Sequence, residues 1–353
     1  MNRDSLVQLP DPLVNPGSRA AGRYVMGIDG GATKTLAAVL DLEQGEVHLA
    51  QGGPSNEDAV GARAAVAVLL EVAEQALQRA GIDERQLATA VLAVAGTDTD
   101  AIARQVKAAR SDDWIVVNDV VGAWAAATGA QPGIGAISGT GSNVFGVGPH
   151  GRPWRVGGWG QLLGDEGSGY WLGAQSIRAA LRDRDGSGPQ TALSEAVVEF
   201  FGASSVEAVA ALVYSKPLTK GEIAAFATEA CRLAEQGDAV ARELYARGAH
   251  ELAEQIVAVV RHTGLAEGDG SANGGAGAFP VGLIGSVFRA GALFVDPLIA
   301  TVHRSAPAAS VSVVEMAPVG GSLLLAARAC GCAAQLDPDR LTRLLDAALA
   351  RQP

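Results

Sequence analysis

The sequence predicts an α/β protein of two lobes, each laid down as β-β-β-α-β-α, with a helical insertion in the second lobe. Three observations predict it. Two glycine-rich turns, Gly30-Gly31-Ala32-Thr33-Lys34-Thr35 and Ser138-Gly139-Thr140-Gly141-Ser142, each join a pair of short apolar strands. After each pair the pattern changes from hairpins to strands alternating with helical spacing. Between Gly169 and Thr263 only helical spacing is found.

In chain order, Met1 to Gly22 carries Pro10, Pro12 and Pro16 among scattered charges and lacks the apolar centre of a signal peptide, so 1–22 reads as a flexible leader. Tyr24 to Asp29, Leu36 to Leu40 and Val47 to Ala50 read as strands. From Gly61 to Ala80, Val66, Leu69, Leu70, Ala73 and Leu77 recur on one helical face, and Gly81 ends it. Ala90 to Ala95 is a strand, Thr99 to Ala109 a helix, Trp114 to Val117 a strand and Val120 to Thr128 a helix of small residues. The second series starts near Gly133 with strands at Ile134–Ser138, Val144–Val147 and Pro153–Val156. Helices follow at 169–182, 192–201, 206–214, 221–235 and 239–263. Gly264 to Phe279 is rich in Gly, Ala and Ser and reads as a surface loop. A strand at Val281–Ile284, a helix at Leu293–Ser305, a strand at Val311–Val314 and a helix at Val319–Ala329 complete the repeat. Leu341, Leu344, Leu345 and Leu349 make the last segment amphipathic. The expected division is 23–130 for the first lobe, with 335–353 packing back on it, and 131–334 for the second.

Composition narrows the partners. A chain of 353 residues with 48% hydrophobic and 18% charged residues can bury a large core. A net charge of −11 argues against nucleic acid, which is bound through a basic face. It does not argue against a phosphate ligand, because glycine turns bind phosphate through backbone N–H groups. Three cysteines, Cys231, Cys330 and Cys332, fit a reducing cytoplasm better than a disulfide framework. No apolar run is long enough to span a membrane. The five histidines show no metal-ligand spacing. Trp154, Trp159 and Trp171 read as packing and cleft walls.

Chemistry concentrates between Val116 and Trp171. In the first turn, glycines allow close approach of backbone to phosphate, and Thr33 and Lys34 add a hydroxyl and a positive charge. Asp29, at a strand end, can hold Mg²⁺ through water. The second turn again offers glycines, Gly139 and Gly141, with the hydroxyls of Thr140 and Ser142. Two such hairpins can clamp a phosphate tail from both sides. Asp119 ends an apolar strand and is the candidate general base, since phosphoryl transfer to an alcohol needs a carboxylate near the attacking hydroxyl. Its plainer role would be to cap the following helix. Asp165 and Glu166, between Gly164 and Gly167, can accept from sugar hydroxyls or an amine, or simply favour a helix start. Asn56 and Asn143 can supply amides to a polyol, although each alone is more often a turn residue. Gly285-Ser286-Val287, between a strand and a helix, can let a purine lie against backbone.

These motifs, in this order, resemble the phosphate, adenosine and connecting-helix motifs of the sugar kinase/Hsp70/actin superfamily. Within it, Val117-Asn118-Asp119, Gly139 to Asn143 and Gly158-Trp159-Gly160 through Gly164-Asp165-Glu166-Gly167-Ser168 are similar to the BadF/BadG/BcrA/BcrD ATPase family, which includes N-acetylglucosamine and bacterial glucosamine kinases. The resemblance implies a two-lobed actin-like ATPase (ribonuclease H-like) fold that closes on ATP, Mg²⁺ and an amino sugar. It implies Asp119 as catalytic base, with Asn56, Thr140, Asn143, Gly164 and Asp165 near the sugar. Gly30, Gly31, Thr33 and Lys34 would lie near the phosphates, and Gly285 and Ser286 near adenosine. Ala32 stands where a glycine is common there, a small change. A homodimer is the family's expectation. The acidic Asp165–Glu166 pair leans the substrate toward free glucosamine, phosphorylated at its 6-hydroxyl, with N-acetylglucosamine as the alternative. An activator ATPase of a 2-hydroxyacyl-CoA dehydratase system, which bridges an iron–sulfur cluster, and a non-enzymatic sugar sensor are the other readings.

Overall fold

The computed structural model describes residues 9–14, 22–96, 99–110, 114–215, 218–267 and 277–351. Most of the leader and residues 268–276 of the Gly/Ala/Ser loop therefore lie outside the described residues.

After a short α1 (Asp11–Val14), the first lobe opens with β1 (Tyr24–Gly30), β2 (Thr35–Asp41) and β3 (Val47–Gly52). Two short helical segments follow, α2 (Glu57–Val60) and the longer α3 (Ala62–Ala80), then β4 (Leu87–Val94), α4 (Thr99–Ala109), β5 (Trp114–Asn118) and α5 (Asp119–Thr128). The second lobe runs β6 (Gly133–Ser138), β7 (Ser142–Val147) and β8 (Pro153–Gly157), then α6 (Gly169–Arg184), α7 (Leu193–Phe201), α8 (Val206–Ser215), α9 (Lys220–Glu235) and α10 (Ala239–Thr263). It ends with β9 (Phe279–Ile284), α11 (Ala292–Ser305), β10 (Ala309–Val313), α12 (Pro318–Ala329) and α13 (Pro338–Leu349). β4 begins three residues before the apolar run, because its parallel pairing with β1 already starts at Tyr24 opposite Leu87.

The two five-stranded sheets share one plan. The first is ordered β3-β2-β1-β4-β5 and the second, read in the same sense, β8-β7-β6-β9-β10. In each, three antiparallel strands are extended by two parallel ones across helical crossovers. The duplication that the sequence suggests only by pattern is thus present strand for strand. Among the described residues no single helix is long and apolar enough to cross a membrane.

Two helices exchange between the halves. α5 leaves the first sheet and packs on β6 and β9 of the second, while α12 leaves the second and packs on β1 and β4 of the first. They cross each other between the sheets. Glycine permits this: a Cβ on Gly321 would stand 1.9 Å from the Gly122 carbonyl oxygen, and one on Gly135 would stand 2.6 Å from the Trp124 backbone. Ser322 Oγ donates to the Ile28 carbonyl at 2.8 Å and ties α12 to β1. Leu323, Val120, Trp124 and Phe145 complete the apolar layer between the sheets. α13 rests on β3 and α12. On the outer faces, α3 covers β2 and β3, and α10 lies across β7 and β8 beneath the rest of the insertion.

Candidate active site

Each glycine turn joins the first two strands of its sheet, β1 to β2 and β6 to β7, and polar contacts brace each of them. The first turn is braced by Gly31 N–H donating to the Lys34 carbonyl at 3.0 Å and Ser55 N–H to the Gly31 carbonyl at 3.1 Å. Thr35 Oγ1 adds bonds to Gly53 O at 2.8 Å and Ser55 Oγ at 2.7 Å. Ala32, Thr33 and Lys34 stand exposed at its tip. Asp29 lies at the root of the turn; burial, then the charge of Asp119, push its carboxyl up to about 7, against the pull of Lys34.

Asp119 is the first residue of α5 but does not cap it. The capping oxygen belongs to Asn118, which accepts from Val120 N–H at 3.3 Å. That leaves the Asp119 carboxylate at the helix N-terminus and out of the cap. Burial pushes it up to about 6, while Val120 N–H, Arg155 and Lys220 favour the charged form. Asn118 also donates from Nδ2 to the Gly96 carbonyl at 3.1 Å and accepts from Asn143 Nδ2 at 3.2 Å, so one asparagine joins β5 to β7 across the lobes. The Asn143 Oδ1 atom is buried without a hydrogen-bond partner among the described residues.

The second turn is sewn to the acidic loop. Ser138 Oγ donates to Gly167 O and Ser142 Oγ to Glu166 O, both at 2.8 Å. Gly169 N–H reaches Gly139 O at 2.8 Å, and Tyr170 N–H reaches Thr140 O at 3.2 Å. Asp165 is 3% exposed and holds a left-handed backbone, φ 62°, an unusual conformation for a residue with a side chain. One of its oxygens accepts from Ser142 N–H at 3.4 Å; the other pairs with Lys220 Nζ at 2.6 Å. The helix after this loop is capped instead by Ser168, which accepts from Trp171 N–H at 3.1 Å. Glu166 accepts from Gln255 at 3.2 Å. Gly141 is glycine for want of space: a Cβ there would lie 2.8 Å from Lys220 Nζ and 3.2 Å from Asp165 Oδ2. Gly285, at φ 129°, abuts the same turn, where a Cβ would fall 2.2 Å from the Ser138 carbonyl oxygen. Ser286 Oγ comes within 4.0 Å of the Cβ position of Gly139.

Asp29, Asp119, Asn143, Asp165, the Gly139–Ser142 turn and Gly285–Ser286 are therefore brought together. Gly164 sits behind Trp159, the Cβ of which would be 3.2 Å from one on Gly164. Asn56 caps α2 by accepting from Ala59 N–H at 3.2 Å. Its neighbour Glu57 packs on Gly96, 3.5 Å from the Cβ position there. Lys220 and Arg155 carry no signal in the sequence. Each is a lone basic residue outside any motif, and only folding carries them, from α9 and β8, into range of Asp119. Of the three tryptophans, Trp154 stacks on His262 and Trp171 packs under Arg247, while Trp159 is 61% exposed at the rim with Leu162 and Leu163. Cys330 and Cys332 are buried at the end of α12, and burial pushes the Cys330 thiol up to about 12, far from a metal-binding thiolate.

The chain is similar to known sugar kinases over two thirds or more of its length. An N-acetylmuramic acid/N-acetylglucosamine kinase of Clostridium acetobutylicum is 34% identical over 243 residues, 67% of this chain and 79% of that protein. A glucosamine kinase of Vibrio cholerae is 29% identical over 247 residues, 68% of this chain and 81% of that one. A solved structure from Chromobacterium violaceum, provisionally named an N-acetylglucosamine kinase, superposes with a TM-score of 0.66 at 26% identity, covering 86% of this chain and 98% of that one. A family model matches residues 26–326, which takes in both sheets, both turns and the acidic loop, and the chain belongs to the BadF/BadG/BcrA/BcrD ATPase family.

Proposed function

We propose that this protein transfers the γ-phosphoryl group of ATP to the 6-hydroxyl of an N-acetylated amino sugar. The observation that carries the reading is Asp119: a carboxylate at the start of a helix whose cap is made by Asn118, near enough to Asp29 to be felt there, with its proton affinity raised to about 6. A base of that strength is ionised at neutral pH yet basic enough to take a hydroxyl proton. The turns would cradle the phosphates through backbone N–H groups, with Gly285 and Ser286 beside the nucleoside. Asn143, with its unpartnered buried oxygen, would accept from a sugar hydroxyl.

Asp29 and Asp119 suit a divalent cation, because the charge of Asp119 disfavours that of Asp29. Mg²⁺ held by Asp29 would offset phosphate charge. Without metal, ionised Asp29 burdens the fold: its folded pKa, about 7, lies above the ordinary carboxylate value of 3.8, so the folded state loses stability as pH rises between them, and the cost is full above about 7. Asp29→Asn should therefore raise the metal-free melting temperature at pH 8 and abolish the further rise that Mg²⁺ and ADP give the native protein. A lower melting temperature, or an undiminished Mg²⁺ response, would remove Asp29 from this role.

The acyl group is favoured over a free amine by two features. Lys220 already neutralises the Asp165 carboxylate that would have held an ammonium, and would repel one. Trp159, Leu162 and Leu163 offer apolar surface at the rim, 61%, 87% and 83% exposed. ADP release measured over N-acetylglucosamine, glucosamine, glucose and mannose should give a kcat/KM for the N-acetyl sugar at least about tenfold above the others, the worth of one well-made apolar or polar contact. Equal or faster turnover of glucosamine would return the preference to the free amine.

A further inference from the structure

The chain carries 38 acidic residues against 27 basic ones, yet the partly buried guanidinium of Arg155 is paired with none of the acids among the described residues. The side chain of Arg155, on β8, makes no ion pair or hydrogen bond among the described residues. It lies over the face of Trp159, with Cζ 5.4 Å from the ring centroid. Burial weakens its hold on its proton, and Asp119, the acid that it feels, opposes this only from a distance. A desolvated cation left this way is costly unless an anion joins it. By contrast, Arg184 is paired with Glu207 and Arg110 with Glu84, and the partly buried Arg328 donates to the Leu13 and Ala130 carbonyls.

Position says which ligand would bring that anion. β8 is the edge strand of the second sheet, separated by β7 and β6 from β9, the end of which carries Gly285 and Ser286. The nucleotide side is thus at the opposite flank. Two residues after Arg155 the strand runs into Gly157 and Gly158, and Gly158 lies against the Asn143 amide, 2.8 Å from its Cβ position. Arg155 therefore borders the sugar side of the cleft. Lys220, the other cation near Asp119, is already engaged by Asp165 and is not available in the same way.

We propose that Arg155, backed by the Trp159 ring, is an anion subsite of the sugar pocket, taking a carboxylate or phosphate that the sugar itself carries. The proposal rests on the sugar-pocket reading of this cleft but not on phosphoryl transfer. Its test is titration calorimetry of the full chain with N-acetylglucosamine, N-acetylglucosamine 6-phosphate and N-acetylmuramic acid, which bears a carboxylate on an ether arm. The first is neutral; the other two separate a phosphate source from a carboxylate source. At least one acid should bind the native protein about tenfold or more tightly than the neutral sugar, as a charge-assisted bond supplies. In Arg155→Gln that ratio should fall to within about threefold, and Arg155→Lys should keep part of it. A ratio unchanged by the Gln variant, acids that bind no tighter than the neutral sugar, or no binding of any of the three would each overturn the subsite. A separate ADP-release assay keeps the two readings apart. Absence of turnover with every sugar sinks the kinase reading while the affinity ratios still judge Arg155.

Discussion

Asp119→Asn should lower kcat by about 10³-fold while leaving sugar affinity within a few-fold, the signature of a lost general base. The amide has nearly the shape of the acid and stands outside the helix cap, which Asn118 makes, so the fold should not suffer. It should even gain slightly at neutral pH, because a carboxyl raised to about 6 in the folded chain is ionised there at a cost to folding. The native rate should rise with pH through about 6, since turnover needs the ionised form, and the variant should show no such limb. Near-native turnover by the variant, or a flat native profile from pH 5 to 7, would take the base role from Asp119.

The second large effect is on stability. Gly321→Val should cost about 3 kcal/mol or more and shift the urea midpoint accordingly. The obstacle is backbone, the Gly122 carbonyl 1.9 Å from the new Cβ, and backbone cannot move aside as a flexible side chain can. α12 is held on β1 by the buried Ser322 bond to Ile28, so the helix cannot retreat without breaking it. A variant as stable as the native chain would mean that α5 and α12 can separate freely.

The fold was largely legible because each hairpin turn and each helix has a local cause. Gly81 stops α3 in the left-handed conformation, and Asp238 caps α10 where the periodic run begins. The exchange of α5 and α12 between sheets was not legible, since it depends on close backbone approach at Gly122 and Gly321 and leaves no period in the sequence. The site divides in the same way. Asp29, Asp119, Asn143 and Asp165 announce themselves as polar residues among glycines at strand ends. Lys220 does not, because its meaning comes from a salt bridge to a residue 55 positions earlier, formed when the insertion folds over the second turn. The same contact undoes the ammonium argument: read alone, Asp165 is a free carboxylate, whereas in the fold it is already matched.

The helix exchange also bears on how motion could reach the acids. Asp29 lies on β1 and Asp119 directly follows β5, so the first sheet carries both, while the helix that Asp119 heads lies on the second sheet. A shift of the second half would therefore pull on Asp119 through α5 while Asp29 stays with its strand. Burial apart, the charge of Asp119 that holds the Asp29 carboxyl up would then vary with that pull until a cation relaxes it.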